Sequence, residues 1–174
     1  MGRGSMAEVS FAMLERCTRL AVRADAEAAV AIGGAVGVPL SDAPCRATVA
    51  GHRAALWLGP DEWLLLAPDG DAPTLAADAV RAVGHRGASI VDISHRTVAI
   101  EVRGPRATDT LNAFCALDLD SRVFPTGMCT RTLFGKSEIV LWRTAGDTFW
   151  IEVARSFVPY VLACLEEGGL EFGS

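Results

Sequence analysis

The sequence predicts an α+β fold: a duplicated strand-helix-three-strand-helix unit with pseudo-twofold symmetry. Three observations carry that expectation. Two tryptophan-rich hairpin patterns, "LWLGPDEWLLLAP" (56–68) and "VLWRTAGDTFWIEV" (140–153), occur far apart in the chain. The same order of elements can be read around each of them. Trp57 and Trp142 also stand at nearly the same spacing as Thr18 and Thr97, which open the first strand of each copy. Two copies make a duplication, whereas a solenoid needs three or more.

The elements follow in order. "TRLAVRA" (18–24) alternates Leu20 and Val22 with Arg19 and Arg23, the period of a half-buried strand. "DAEAAVAIGGAVG" (25–37) reads as a helix with Asp25 as N-cap and glycines at its end. "RATVA", "AALWL" and "EWLLLA" are three short strands, broken by "GHR" and by the Gly59-Pro60-Asp61 turn. "DAPTLAADAVRAVG" (71–84) closes the first copy as a helix, with Asp71 near the cap, Pro73 in the first turn and Gly84 just past the end.

In the second copy "RTVAIEVRG" (96–104) is a strand and "PRATDTLNAFCAL" (105–117) a helix opened by Pro105. "CTRTLF", "SEIVLWR" and "DTFWIEV" are strands, and "ARSFVPYVLACLEEGG" is a last helix capped by Ser156 and stopped at Gly168. The expected organisation is a flexible N-terminus or expression scar over 1–15, with "MGRGSM" as the scar and Met6 as the start. A single domain over 16–174 follows, made of repeats at about 16–86 and 90–168.

At 174 residues such a domain buries roughly 70% of the surface of its unfolded chain, enough for a core without staples. Half of the residues are hydrophobic and the mean hydropathy is +0.30, so some apolar surface is expected to serve a partner. A net charge of −5 without a basic stripe argues against nucleic acid or an anionic membrane surface. Cys17, Cys45, Cys115, Cys129 and Cys164 are scattered and form no CxxC pair. They read as reduced thiols of a cytoplasmic protein, and no zinc site is read. No secretory leader or membrane span is expected.

Catalytic patterns are scarce. No HExxH, GxSxG, P-loop or GxGxxG occurs, and Gly33, Gly34 and Gly37 lie in or after a helix, the wrong context for a dinucleotide turn. Asp92, Ser94 and His95 in "VDISHRT" resemble triad parts but are too close along an extended segment for one to activate the next. Asp92 bonded to Ser94 or His95 would instead fix the entry to a strand. Lys136 and Glu138 are expected to share a strand face as a solvated pair. On "DTFWIEV", Phe149, Ile151 and Val153 share one face, and Thr148, Trp150 and Glu152 the other, so Trp150 stands on the more polar side. One reading puts the wholly apolar Trp63, Leu65 and Ala67 face inside the joint between the copies, with Trp150 partly outside as the candidate partner contact; the other packs Trp150 under a loop or the N-terminal segment. No residue is assigned as catalytic, cofactor-binding or metal-binding.

"VDISHRTVAIEVRGPRATDTLNAF", "FPTGMCTRTLFGKSEIVLWR" and "DTFWIEVARSFVPYVLACLEE" resemble the gamma subunit of heterotetrameric sarcosine oxidase, a likeness that extends from about residue 16. More distantly, Asp92, Ser94, His95, Gly104, Pro105 and the run Thr132-Leu133-Phe134-Gly135 resemble the folate-binding domain of the glycine cleavage system aminomethyltransferase. That likeness implies a duplicated α+β domain whose halves exchange their first strands. The family's usual acidic pair after the glycine turn is replaced here by Ser137-Glu138-Ile139. The resemblance implies a non-catalytic subunit of a complex that oxidatively demethylates sarcosine to glycine. Its partners would be the alpha, beta and delta subunits, and the FAD, FMN, NAD, zinc and tetrahydrofolate sites would lie in those chains. Two other readings stay open: a stand-alone folate-binding module with Glu138 as its carboxylate, and a self-associating homo-oligomer.

Overall fold

The computed structural model describes residues 8–170, so the expected scar over residues 1–6 lies outside the described residues. The chain divides into two compact units. The first holds Glu15–Thr97 together with Gly127–Thr130; the described part of the second holds residues 8–14, 98–126 and 131–170.

The sheet of the first unit has the order β3-β4-β5-β2-β6. Its strands are β2 (Cys17–Ala24), β3 (Ala47–Ala50), β4 (Arg53–Gly59), β5 (Glu62–Pro68) and β6 (Ala88–Asp92). Helix α1 (Ala26–Val36) begins where the Asp25 carboxylate accepts the Ala28 N–H at 2.8 Å. It ends at Gly37, whose φ of +71° suits a residue without a Cβ. Helix α2 (Ala72–Val83) follows Asp71, whose side chain makes no cap bond. That carboxylate instead meets Arg53 Nη2 at 3.4 Å, while Arg53 Nη1 donates to Val36 O at 2.7 Å. One guanidinium thereby ties the end of α1 to the start of α2.

Leu20, Val22, Trp63, Leu65 and Ala67 of this sheet pack with Ile32 and Val36 of α1 and Leu75 and Ala79 of α2 in one core. The Trp63 face is therefore the helix-covered face of its own unit, which corrects its expected place at a joint between copies. Wholly apolar alternation marks a buried face without saying which layer covers it.

The sheet of the second unit has the order β1-β7-β10-β9-β8. It is built from β1 (Ser10–Met13), β7 (Thr97–Arg103), β8 (Cys129–Phe134), β9 (Ser137–Ala145) and β10 (Thr148–Ala154). The two sheets have exchanged first strands. Strand β1, at the front of the first repeat, pairs antiparallel with β7 from Ser10↔Arg103 to Met13↔Ile100. Strand β6, at the front of the second repeat, pairs antiparallel with β2 from Leu20↔Asp92 to Ala24↔Ala88. Strand β1 lies before residue 16, where the sequence reading began the domain.

The helices of the second unit differ from their expected bounds for local reasons. Helix α3 (Ala107–Asn112) is short because the Asn112 amide donates to the carbonyls of Cys115 (3.1 Å) and Leu117 (2.5 Å), giving the chain an alternative to another helical turn. Ser156 lies in a 3-10 turn (Arg155–Phe157), and α4 (Val158–Leu170) continues through Gly168. That glycine is a packing residue rather than a stop: a Cβ there would lie 2.9 Å from Thr110 O of α3. The glycine of the β8–β9 turn has a similar task. Gly135 has a φ of +56°, and a Cβ on it would collide with the Tyr160 hydroxyl, which accepts the Lys136 N–H at 3.1 Å.

Arg143 on β9 is 3% exposed. Its guanidinium donates to Gly146 O (2.9 and 2.6 Å), Leu119 O (3.0 Å) and Phe124 O (2.8 Å), and lies 4.8 Å from the Phe149 ring centroid. It holds a loop without regular structure against the β9–β10 hairpin, so that Leu119 and Phe124 are buried. Replacing Arg143 with Met should destabilise the fold by at least about 2 kcal/mol, because the buried carbonyls of Leu119 and Phe124 lose their donor. Urea unfolding would show a lower midpoint at unchanged slope, with Arg143→Lys between the two.

Candidate functional site

The β9–β10 hairpin places the candidate contact. Its register sets Trp150 opposite Trp142, with ring centroids 6.1 Å apart at 49°. Such tilted aromatic pairs add about 0.5–1.5 kcal/mol beyond burial. Trp150 is half-buried, and its indole N–H donates to Glu152 Oε1 at 2.8 Å, two residues along on the same strand face. Glu152 is only 3% exposed. The sequence placed both on the polar face but missed that the carboxylate is buried; the Trp-x-Glu spacing is the signal that could have found the bond.

Ser94 sits at the end of β6 in a bonded corner. Its Oγ donates to Asp92 Oδ1 at 2.5 Å, its N–H donates to the same oxygen at 2.9 Å, and its Oγ accepts the Arg19 N–H at 2.9 Å. The Ile93 N–H donates to Arg19 O at 2.9 Å. His95 turns to Arg16, with Nδ1 3.3 Å from Arg16 Nη2. Ser94 is thus oriented by Asp92 and serves β2. The two bonds from Ser94 hold the Asp92 carboxyl below the usual carboxylate range, with the nearby His95 as a minor further cause.

Lys136 and Glu138 do not form the expected strand pair. Lys136 lies in the turn between β8 and β9, and Glu138 faces Arg131 of β8 at 3.6 Å with its side chain 71% exposed. A carboxylate so exposed is a poor anchor for a pterin, which the folate reading needs recessed. Among the described residues no group of three or more His, Cys, Asp or Glu is placed to hold a metal ion, and no helix is long and apolar enough to cross a membrane.

Residues 21–171 match the model of the family described as "Sarcosine oxidase, gamma subunit family". The chain belongs to that family. The sarcosine oxidase gamma subunit of Corynebacterium sp. (strain P-1) is 32% identical over 99% of this chain and 83% of its own length. The Arthrobacter sp. subunit is 30% identical over 100% of this chain and 87% of its own. A chain of the heterotetrameric sarcosine oxidase from Corynebacterium sp. U-96, solved with pyrrole 2-carboxylate, superposes with a TM-score of 0.90 at 28% identity. The match covers 98% of this chain and 88% of that one. Glycine cleavage system aminomethyltransferase T from Bartonella henselae shares the fold, with a TM-score of 0.66 at 14% identity over 91% of this chain and 45% of that protein.

Within this gamma-subunit fold the two bonded corners can be tested separately. Because the folded pKa of Asp92 lies below its unfolded value of about 3.9, its bonds stabilise above that pH, and the contribution is lost as pH falls through the folded value. Ser94→Ala should bring the Asp92 titration, followed by NMR, back up toward about 3.9 and flatten the acid limb of stability. Trp150→Phe keeps the ring against Trp142 but removes the indole donor to Glu152. It should lower stability by about 0.5–1.5 kcal/mol in thermal or urea unfolding.

Proposed function

We propose that this chain acts as the small, non-catalytic gamma subunit of a four-chain complex that oxidatively demethylates sarcosine to glycine. The observation that carries the reading is the match over nearly its whole length to a chain of a heterotetrameric sarcosine oxidase. The bonding of Ser94 supports the non-catalytic part, since the best nucleophile candidate is already committed to Asp92 and to the β2 backbone. The partners are the alpha, beta and delta subunits, and FAD, FMN, NAD, zinc and tetrahydrofolate are handled by those chains in the cytoplasm. This subunit contributes packing surface against the largest partner, in a permanent interface well above roughly 1,200 Å². Trp150 belongs to that contact.

The test is co-purification of the tagged chain from its source organism grown on sarcosine. Two large flavin-containing chains and one further small chain at equal stoichiometry are expected; recovery of the tagged chain alone would overturn the proposal. Trp150→Ala should weaken assembly by about 2 kcal/mol, roughly 30-fold in Kd, measured at a temperature where the variant is still folded. Unchanged affinity of the folded variant would remove Trp150 from the contact.

A further inference from the structure

Two of the five thiols stand opposite each other across a short antiparallel contact. Arg46 and Met128 form an isolated bridge, flanked by Ala47 N–H to Gly127 O at 2.8 Å and Cys129 N–H to Cys45 O at 2.9 Å. One residue beyond the bridge, Cys45 in the preceding turn is joined to Cys129 at the start of β8 by the second of these bonds. Residues that exchange both such bonds have Cα atoms about 5.5 Å apart, near the preferred span of a disulfide, and this pair makes one of the two. Both belong to the first unit, and both are free thiols. Cys45 is also the one non-glycine residue with positive φ, +58°, among those described.

We propose that Cys45 and Cys129 are a peroxide-responsive pair that closes to a reversible intrachain disulfide. Their environments divide the roles. Cys45 is half-buried and can be reached by a small oxidant, whereas Cys129 is 0% exposed, with its S–H directed at Trp57 O 3.5 Å away. The Cys45 sulfur attacks one oxygen of the hydroperoxide and the O–O bond breaks, giving a sulfenic acid and one water (an alcohol, if the peroxide is organic). The Cys129 sulfur then attacks the Cys45 sulfur. The S–O bond breaks, and hydroxide leaves with the Cys129 proton as a second water. Two thiols lose two electrons in all, and the peroxide gains them. Burial, with the proximity of Cys45 as a smaller cause, pushes the Cys129 thiol up to about 12. The second step is therefore slow at neutral pH and quickens as pH rises.

The experiment treats the full chain with graded hydrogen peroxide, blocks remaining thiols under denaturing conditions and maps peptides by mass spectrometry. Expected are the loss of two alkylatable thiols per chain, a linked Cys45–Cys129 peptide that dithiothreitol releases, and faster linkage at higher pH. In Cys129→Ala, Cys45 should accumulate as a sulfenic acid trapped by dimedone; in Cys45→Ser, Cys129 should stay reduced. The proposal is overturned if Cys45 of the native sequence passes to sulfinic acid while Cys129 remains alkylatable, or if either thiol links elsewhere. Because the native sequence itself gives the deciding peptide map, a variant that fails to fold does not blunt the test.

Discussion

Burial of the central strands on both faces is the constraint on which the rest of the molecule depends. In β5 every residue from Trp63 to Ala67 is buried, and in β10 so are Phe149 and the run Ile151 to Val153. A strand covered on both sides must either read as an apolar run or supply a partner for each polar atom it carries. Strand β5 takes the first course with "WLLLA" and needs only Ser41 O, 2.8 Å away, for the Trp63 indole. Strand β10 takes the second. Glu152 accepts the Trp150 indole N–H, and Arg143 on the neighbouring β9 donates to three carbonyls. The same architectural demand thus gives two chemically different strands in the two repeats.

The elements legible in the sequence are those whose signals are local. Asp25 and Gly37 bracket α1, and turn residues bracket β8, β9 and β10, so their bounds follow from capping and alternation. Strands β1 and β6 carry no such signal. Each is short, sits at a sheet edge with mostly exposed side chains, and owes its conformation to a partner distant in sequence. The exchange itself was legible only through resemblance. Gly168 misled because the pattern of a stopping glycine and that of a close-packing glycine are the same, and only the approach of Thr110 O tells them apart.

The candidate site was legible by half. Period-2 parity placed Trp150 and Glu152 together, but a glutamate at an alternating position reads as solvated until the second covering layer is known. Arg143 escaped for the same reason, since nothing in "LWRTAG" says that the cation is surrounded by backbone. The Lys136–Glu138 pairing failed on a one-residue boundary: with Lys136 in the turn, the cation across the strand pair, Arg131, is the one in reach. At 14% identity, the likeness to the aminomethyltransferase concerns only this framework of strands and helices.

The exchanged first strands also set the order in which the chain can be completed as it leaves the ribosome. Strand β1 emerges before everything it pairs with, and its backbone stays unmatched until β7 has been made. Strand β2 likewise keeps one side open until β6 arrives. Non-local pairings of this kind are slow to form and leave bare strand edges in the meantime. Neither repeat can be cut out as a gene fragment without stripping an edge strand from the other. Each half is the caretaker of its neighbour's rim, and the duplicated halves are inherited, synthesised and lost together.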